Sequence, residues 1–280
     1  MSGRRLFTLL LWCYAGAVFA FIFAPIVVSF IVSFTSDRFP TLPLGEFSTQ
    51  WYEAIADDPT LWPALRRTII VGAVVAVIAT LLGFGAAYTD YRFRFFGKNF
   101  YLALALLPPT IPVVILGLAM LVFLSQIGLF GQLHSVILSH VVLCMPFAMA
   151  LVRLRLSQMD PSMEAAAWNL GASEWRTMVE IILPFTLPAI LSALFITMAV
   201  SFDEFAIAFF VSGFAETLPV RILAMFQGQV SPRINAIGSI VFTVTMALVI
   251  LAQVALLARN PARTRLAVAK AAAGESTDHG

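Results

Sequence analysis

The sequence predicts an all-α membrane protein with six transmembrane helices, and three observations lead there. The 280 residues are 60% hydrophobic and only 11% charged, whereas a soluble domain runs near a quarter charged. The charges are confined to short stretches between long apolar runs. Six of those runs, at about 7–34, 68–89, 100–124, 133–152, 185–211 and 237–258, are long enough to cross a hydrocarbon layer of ~30 Å, which takes about 20 helical residues. They lack the period-two alternation of barrel strands, and backbone polar groups in lipid need internal partners, so helices are the form left. The chain reads as a single transmembrane domain, 1–280, without repeats.

The first run follows Arg4 and Arg5 and continues to Phe34. It is too long for a signal-peptide core and ends without a small-residue cleavage site, so it stays as a helix. The segment 35–67 carries Asp37, Glu46, Glu53, Asp57 and Asp58, with Trp51, Tyr52 and Trp62 as interfacial anchors on short amphipathic helices. Gly72, Gly83 and Gly85 in the second run, and Pro108, Pro109 and Pro112 in the third, predict helices that are closely packed or kinked. His134 and His140 in the fourth run have no Cys, Asp or Glu nearby in sequence, a pattern of interfacial or packed side chains rather than of metal ligands. Cys13 and Cys144 lie inside apolar runs and read as small buried hydrophobes. Residues 262–280 are small, polar and alanine-rich, the composition of a flexible cytoplasmic tail.

Lys and Arg assign the sides. Arg4, Arg5, Arg92, Arg94, Lys98, Arg153, Arg155, Arg176, Arg259, Arg263, Arg265 and Lys270 fall on one side of the six runs, and only Arg38, Arg66, Arg67, Arg221 and Arg233 on the other. The positive-inside rule makes the first side, with both termini, cytoplasmic. A net charge of +2 is too mild to point to nucleic acid.

The longest cytoplasmic connection, 160–184, reads as helix, glycine, helix. Asp160 caps a helix that starts at Pro161, Glu164 lies in its first turn at the positive dipole end, and Gly171 supplies a left-handed C-cap. Ser173, with Arg176 and Glu180 beyond it, starts a second short helix running to Pro184. The small side chains of its alanine face let such a hairpin sit deep in a partner's groove. The sequence contains no G-x-x-x-x-G-K-[ST] loop to cradle a nucleotide phosphate, so nothing in it marks a site for ATP hydrolysis.

This stretch resembles the EAA loop of binding-protein-dependent ABC importer permeases, whose pattern is E-A-A, three residues, G, nine residues, I-x-L-P. Gly171, Ile181, Leu183 and Pro184 match that spacing. One position departs from it: counting back from Gly171, the family's glutamate position holds Ala165, and Glu164 comes one residue earlier. Either the acid makes the usual contact from the neighbouring position or another residue replaces it. The resemblance implies a MetI-like fold and an ATPase-coupling group of Glu164, Ala165, Ala166, Gly171, Ala172, Glu174, Ile181, Leu183 and Pro184. Ala165–Trp175 is implied to form the coupling helix, seated in a cleft of a separate cytoplasmic ATPase. This chain is then non-catalytic and binds no cofactor, and ATP with Mg sits on the ATPase.

The fifth run contains Asp203 and Glu204, and an acid costs about 2.5–3.5 kcal/mol at mid-helix on insertion scales. Adjacent residues project about 100° apart, so one acid lines a path while the other pairs structurally, with Asp203 preferred for the path. The segments 201–213, 218–222 and 230–236, together with 50–53 and 61–69, are similar to the PotC-type permease subunits of spermidine/putrescine importers. That resemblance implies a bacterial inner-membrane assembly with a PotB-like second permease, an ATP-binding subunit dimer and a periplasmic substrate-binding protein, moving a polyamine. Carboxylates beside Phe202 and Phe205 suit a polyamine through charge pairing and cation–π contact. Equally, the phenylalanines face lipid or pack, and the acids pair as a gate. Because the soluble protein selects the ligand, the same importer class for an opine or aminoethylphosphonate stays open. A secondary transporter is the distant alternative, although helices broken at matching places in two halves are not legible in the sequence.

Overall fold

The computed structural model describes residues 3–38, 45–228 and 232–259. The tail at 262–280 and the residues Val230 and Ser231 lie outside the described residues. In chain order, α1 (Gly3–Val32) takes the first apolar run, α2 (Gln50–Ala56) is a short helix, and α3 (Leu61–Arg92) holds the second run. The third run carries α4 (Lys98–Leu106) and α5 (Val113–Gln126), and the fourth is α6 (Leu133–Leu156). The cytoplasmic connection carries α7 (Pro161–Asn169) and α8 (Glu174–Thr177), followed by α9 (Leu183–Asp203) and α10 (Ala206–Val211) of the fifth run. Last come α11 (Leu218–Gly228) and α12 (Pro232–Arg259), the latter holding the sixth run. The single extended pairing among the described residues is an isolated bridge between Thr35 and Phe47.

Three expectations change. The third run is two helices, because Pro108 and Pro109 open a 3-10 turn (Pro108–Thr110) and Pro112 forces Ile111 into an extended conformation, φ −80 and ψ 133. The fifth run is also two helices, interrupted at Glu204 and Phe205. Finally, the second loop helix does not stop at Pro184. From Glu174 to Asp203 the helix is continuous, passing through a π-helical turn at Met178–Ile182. Proline 184 has no N–H for the carbonyl four residues back and its ring crowds that carbonyl, and the wider turn relieves both.

The described residues fall into two compact units, 58–227 and 1–57 with 228–280. In the first, α3 packs along α6, and both pack on α9. Helices in lipid gain little from apolar transfer and associate through close packing of small residues. Gly83 shows this: a Cβ there would sit 2.6 Å from the Ala148 Cβ and 2.7 Å from the Met149 backbone nitrogen. Gly117 does the same between α5 and α10, where a Cβ would meet Phe210 at 2.8 Å and the Ile207 Cα at 3.2 Å. One buried cluster, with Val75, Leu116, Val136 and Ile207, joins α3, α5, α6 and α10, and a second, with Ala87, Met149, Leu156 and Ile182, joins the other end of α3 to α6 and α9. Asp90 locks that end. Its carboxylate accepts from Arg153 Nε at 2.6 Å and pairs with Lys98 Nζ at 3.2 Å.

In the other unit α12 packs on α1 and α2. Ser29 donates to Asn235 at 3.2 Å, Arg233 donates to the Ala54 carbonyl at 2.8 Å, and the Trp51 indole donates to the Thr35 carbonyl at 2.7 Å. Trp51 and Tyr52 are therefore half-buried within this unit, and Trp62 is the exposed member of the three anchors expected from sequence.

Candidate functional site

The break between α9 and α10 contains no proline and no glycine. Glu204 makes it: its Oε1 accepts the Ile207 backbone N–H at 2.9 Å, so the acid caps α10 from within an apolar run. The neighbouring side chains are each given a direction. Ser201 is buried and its hydroxyl lies 2.9 Å from His140 Nδ1 on α6. Phe202 fills a notch at Gly72 of α3, where a Cβ would come within 1.9 Å of its ring. Asp203 is exposed and, among the described residues, makes no hydrogen bond or ion pair, while Phe205 is 48% exposed. The structure thus separates the four residues singled out from the sequence: Asp203 and Phe205 face outward, and Phe202 and Glu204 are engaged within the chain. His140 is fully buried rather than interfacial, with its second ring nitrogen unpaired. Its proximity to Ser201 spans 61 positions, and nothing local in the sequence signals it. Among the described residues no three His, Cys, Asp or Glu side chains gather as metal ligands.

The cytoplasmic loop is built by local rules. The Asp160 carboxylate accepts the Ser162 N–H at 2.9 Å, and that bond and the Ser162 hydroxyl hold its pKa below the usual carboxylate value. At the other end of α7, Ala172 N–H reaches the Ala167 carbonyl at 3.0 Å and Gly171 N–H reaches that of Trp168 at 2.9 Å. This is a Schellman closure, and it requires the left-handed Gly171, φ +82. The Ser173 hydroxyl accepts the Arg176 N–H at 3.3 Å and so starts α8. Residues 165–175 therefore form a helix end, a left-handed turn and a helix start, not one coupling helix.

Glu164, the acid one residue off the family spacing, is turned inward and is 5% exposed. Tyr91 donates to it at 2.6 Å and Arg92 at 3.4 Å. Arg92 also reaches Glu174 at 3.0 Å. Facing outward are Ala165, Ala166 and Gly171, with Leu170 at 88% and Trp175 at 76% exposure. Ala172 and Ile181 are half-buried, and Leu183 and Pro184 are exposed.

A family model described as "Binding-protein-dependent transport system inner membrane component" matches residues 79–265. The chain belongs to this family. Among curated relatives, the permease is 32% identical over 248 residues to "Spermidine/putrescine transport system permease protein PotC" of Escherichia coli (strain K12), covering 88% of this chain and 93% of the relative. It is 32% identical over 237 residues to the PotC of Haemophilus influenzae, covering 84% and 92%. To "Putrescine transport system permease protein PotI" of Escherichia coli (strain K12) it is 33% identical over 231 residues, covering 80% and 82%. Its fold matches a chain of a bacterial ABC transporter involved in the import of the acidic polysaccharide alginate, with TM-score 0.69 and 16% identity, covering 91% and 97%. It also matches one from the MetNI methionine ABC transporter, with TM-score 0.59 and 18% identity, covering 69% and 92%. The permease is thus a multi-pass membrane component of an ABC importer with a MetI-like fold, and it is not the subunit that hydrolyses ATP.

Proposed function

We propose that the chain forms half of the translocation path of a bacterial inner-membrane importer for a polyamine, spermidine or putrescine, with Asp203 on the path. The observation that carries this reading is the helix break, which leaves Asp203 outward and unpaired while Glu204 is used as a cap. The last carbonyls of α9 are the negative end of its dipole, and interrupted membrane helices use such ends to hold cations. Phe205 beside them offers a ring face to an ammonium group. The relatives named for spermidine and putrescine support the same class of solute. Both termini and the 160–184 loop lie in the cytoplasm by the positive-inside rule. The loop's exposed Leu170 and Trp175, flanked by small side chains, suit docking on a separate ATP-binding subunit dimer. A PotB-like second permease completes the pore and a periplasmic binding protein delivers the solute.

Asp203→Asn tests the path. Losing a charge-assisted hydrogen bond worth about 1.5–3 kcal/mol raises the half-saturation for spermidine roughly 10- to 100-fold with normal membrane insertion. Unchanged spermidine uptake contradicts the assignment.

A further inference from the structure

Arg92 ends α3, and its guanidinium meets both halves of the cytoplasmic loop. Nη1 lies 3.4 Å from Glu164 on α7, Nη2 lies 3.0 Å from Glu174 on α8, and the guanidinium carbon sits 4.8 Å from the centre of the Trp168 ring. Tyr91, the preceding residue, donates to the other oxygen of Glu164 at 2.6 Å. The Glu164 side chain is 7% exposed as a result. The loop's acid is therefore engaged by the chain's own second span. A planar fork that stacks and donates in two directions is an arginine property that a lysine does not reproduce.

From Arg92 the helix runs back without interruption to Leu61, 32 residues in all. Gly72 lies on the same rod about 30 Å away, at about 1.5 Å per residue. There α3 makes a further specific contact, the notch that holds the Phe202 ring, one residue before Asp203. By covalent connection the loop is joined only to α6 and α9. The Arg92 contacts join it to α3 as well, and α3 touches the last turn of α9 beside the break.

We propose that Arg92 is a positioning residue that straps the cytoplasmic loop to α3, so that α3 acts as a rod carrying loop movement to the α9–α10 break. This rests on reading the loop as the ATPase contact. Rigid secondary elements that touch two sites are one carrier of coupling free energy between them, and α3 is such an element.

The test uses the complete transporter in liposomes, with the ATPase, the second permease and the binding protein, and spermidine as the probe. In Arg92→Ala the ATPase is still retained and ATP is still hydrolysed, while spermidine moved per ATP falls about tenfold. Amide exchange over 161–177 speeds about tenfold, and that of α6 is unchanged. Adding Glu164→Gln, which removes the buried charge left without its counter-ion, leaves the defect in place. Arg92→Lys, which keeps charge but loses the fork and the stack, shows an intermediate drop of about threefold and carries the test if the alanine variant does not insert. Combined with Phe202→Ala, the loss is no greater than the worse single change, although sites this far apart normally add. Wild-type uptake per ATP in the Arg92 variants, rescue by Glu164→Gln, or additivity with Phe202→Ala overturns the strap. If the unaltered chain itself fails to retain the ATPase, the loop reading falls, and the strap with it. If that chain couples normally and the Arg92 variants do too, the strap alone falls.

Discussion

Replacing Gly72 by alanine places a methyl group where the Phe202 ring now sits. The new Cβ would lie 1.9 Å from Phe202 Cε1 and 2.2 Å from Cδ1, against an ordinary contact of 3.4 Å or more. The ring has to retreat by about 1.5 Å, either by leaving the notch or by carrying residues 201–205 with it. Overpacking of this kind costs about 1–3 kcal/mol. Asp203 is the next residue, and a displacement near 1 Å at a working group costs up to about 100-fold. Uptake of labelled spermidine into proteoliposomes, normalised to inserted permease, is expected to fall tenfold or more in Gly72→Ala. Phe202→Leu in the same chain vacates the notch and restores most of that loss. Uptake within twofold of the unaltered permease, or no recovery in the double variant, refutes the view that the Phe202 socket sets the direction of Asp203.

Two further changes separate local from tertiary effects. Asp90→Ala removes an 8% exposed carboxylate shared by Arg153 and Lys98, which are themselves 47% and 31% exposed and can solvate. The expected cost is about 1–3 kcal/mol, visible as a lower thermal midpoint in detergent, with Arg153→Ala milder because Lys98 still pairs with the acid. Equal midpoints for the two variants contradict the shared clasp. Gly171→Ala meets no atom within 4 Å, so its cost is the left-handed backbone alone, about 1–2 kcal/mol. Faster proteolysis between α7 and α8 with unchanged exchange in α3 is the expected outcome, and an unaltered loop counters the Schellman assignment.

The elements that were legible in the sequence are those fixed by local chemistry. Asp160, Pro161, Gly171 and Ser173 act within a few residues of themselves, and their caps appear as expected. The prolines of the third run announced a kink, and the structure turns it into a full interruption. The break at Glu204 was hidden, because an acid in an apolar run reads as a buried charge until its carboxylate is seen capping Ile207. The inward turn of Glu164 was hidden for another reason: its partners Tyr91 and Arg92 lie 73 and 72 positions away. Long separation likewise hid the contact between Phe202 and Gly72, where one reads in the sequence as a path residue and the other as ordinary close packing.

The measurement that bears most directly on the account is spermidine uptake into liposomes holding this chain with its second permease and ATPase, supplied with spermidine-loaded binding protein. The account predicts uptake that needs ATP and every component, and whose half-saturation rises roughly 10- to 100-fold in Asp203→Asn. Uptake by this chain alone, driven by an ion gradient, or a complete assembly that hydrolyses ATP yet moves no spermidine, contradicts it.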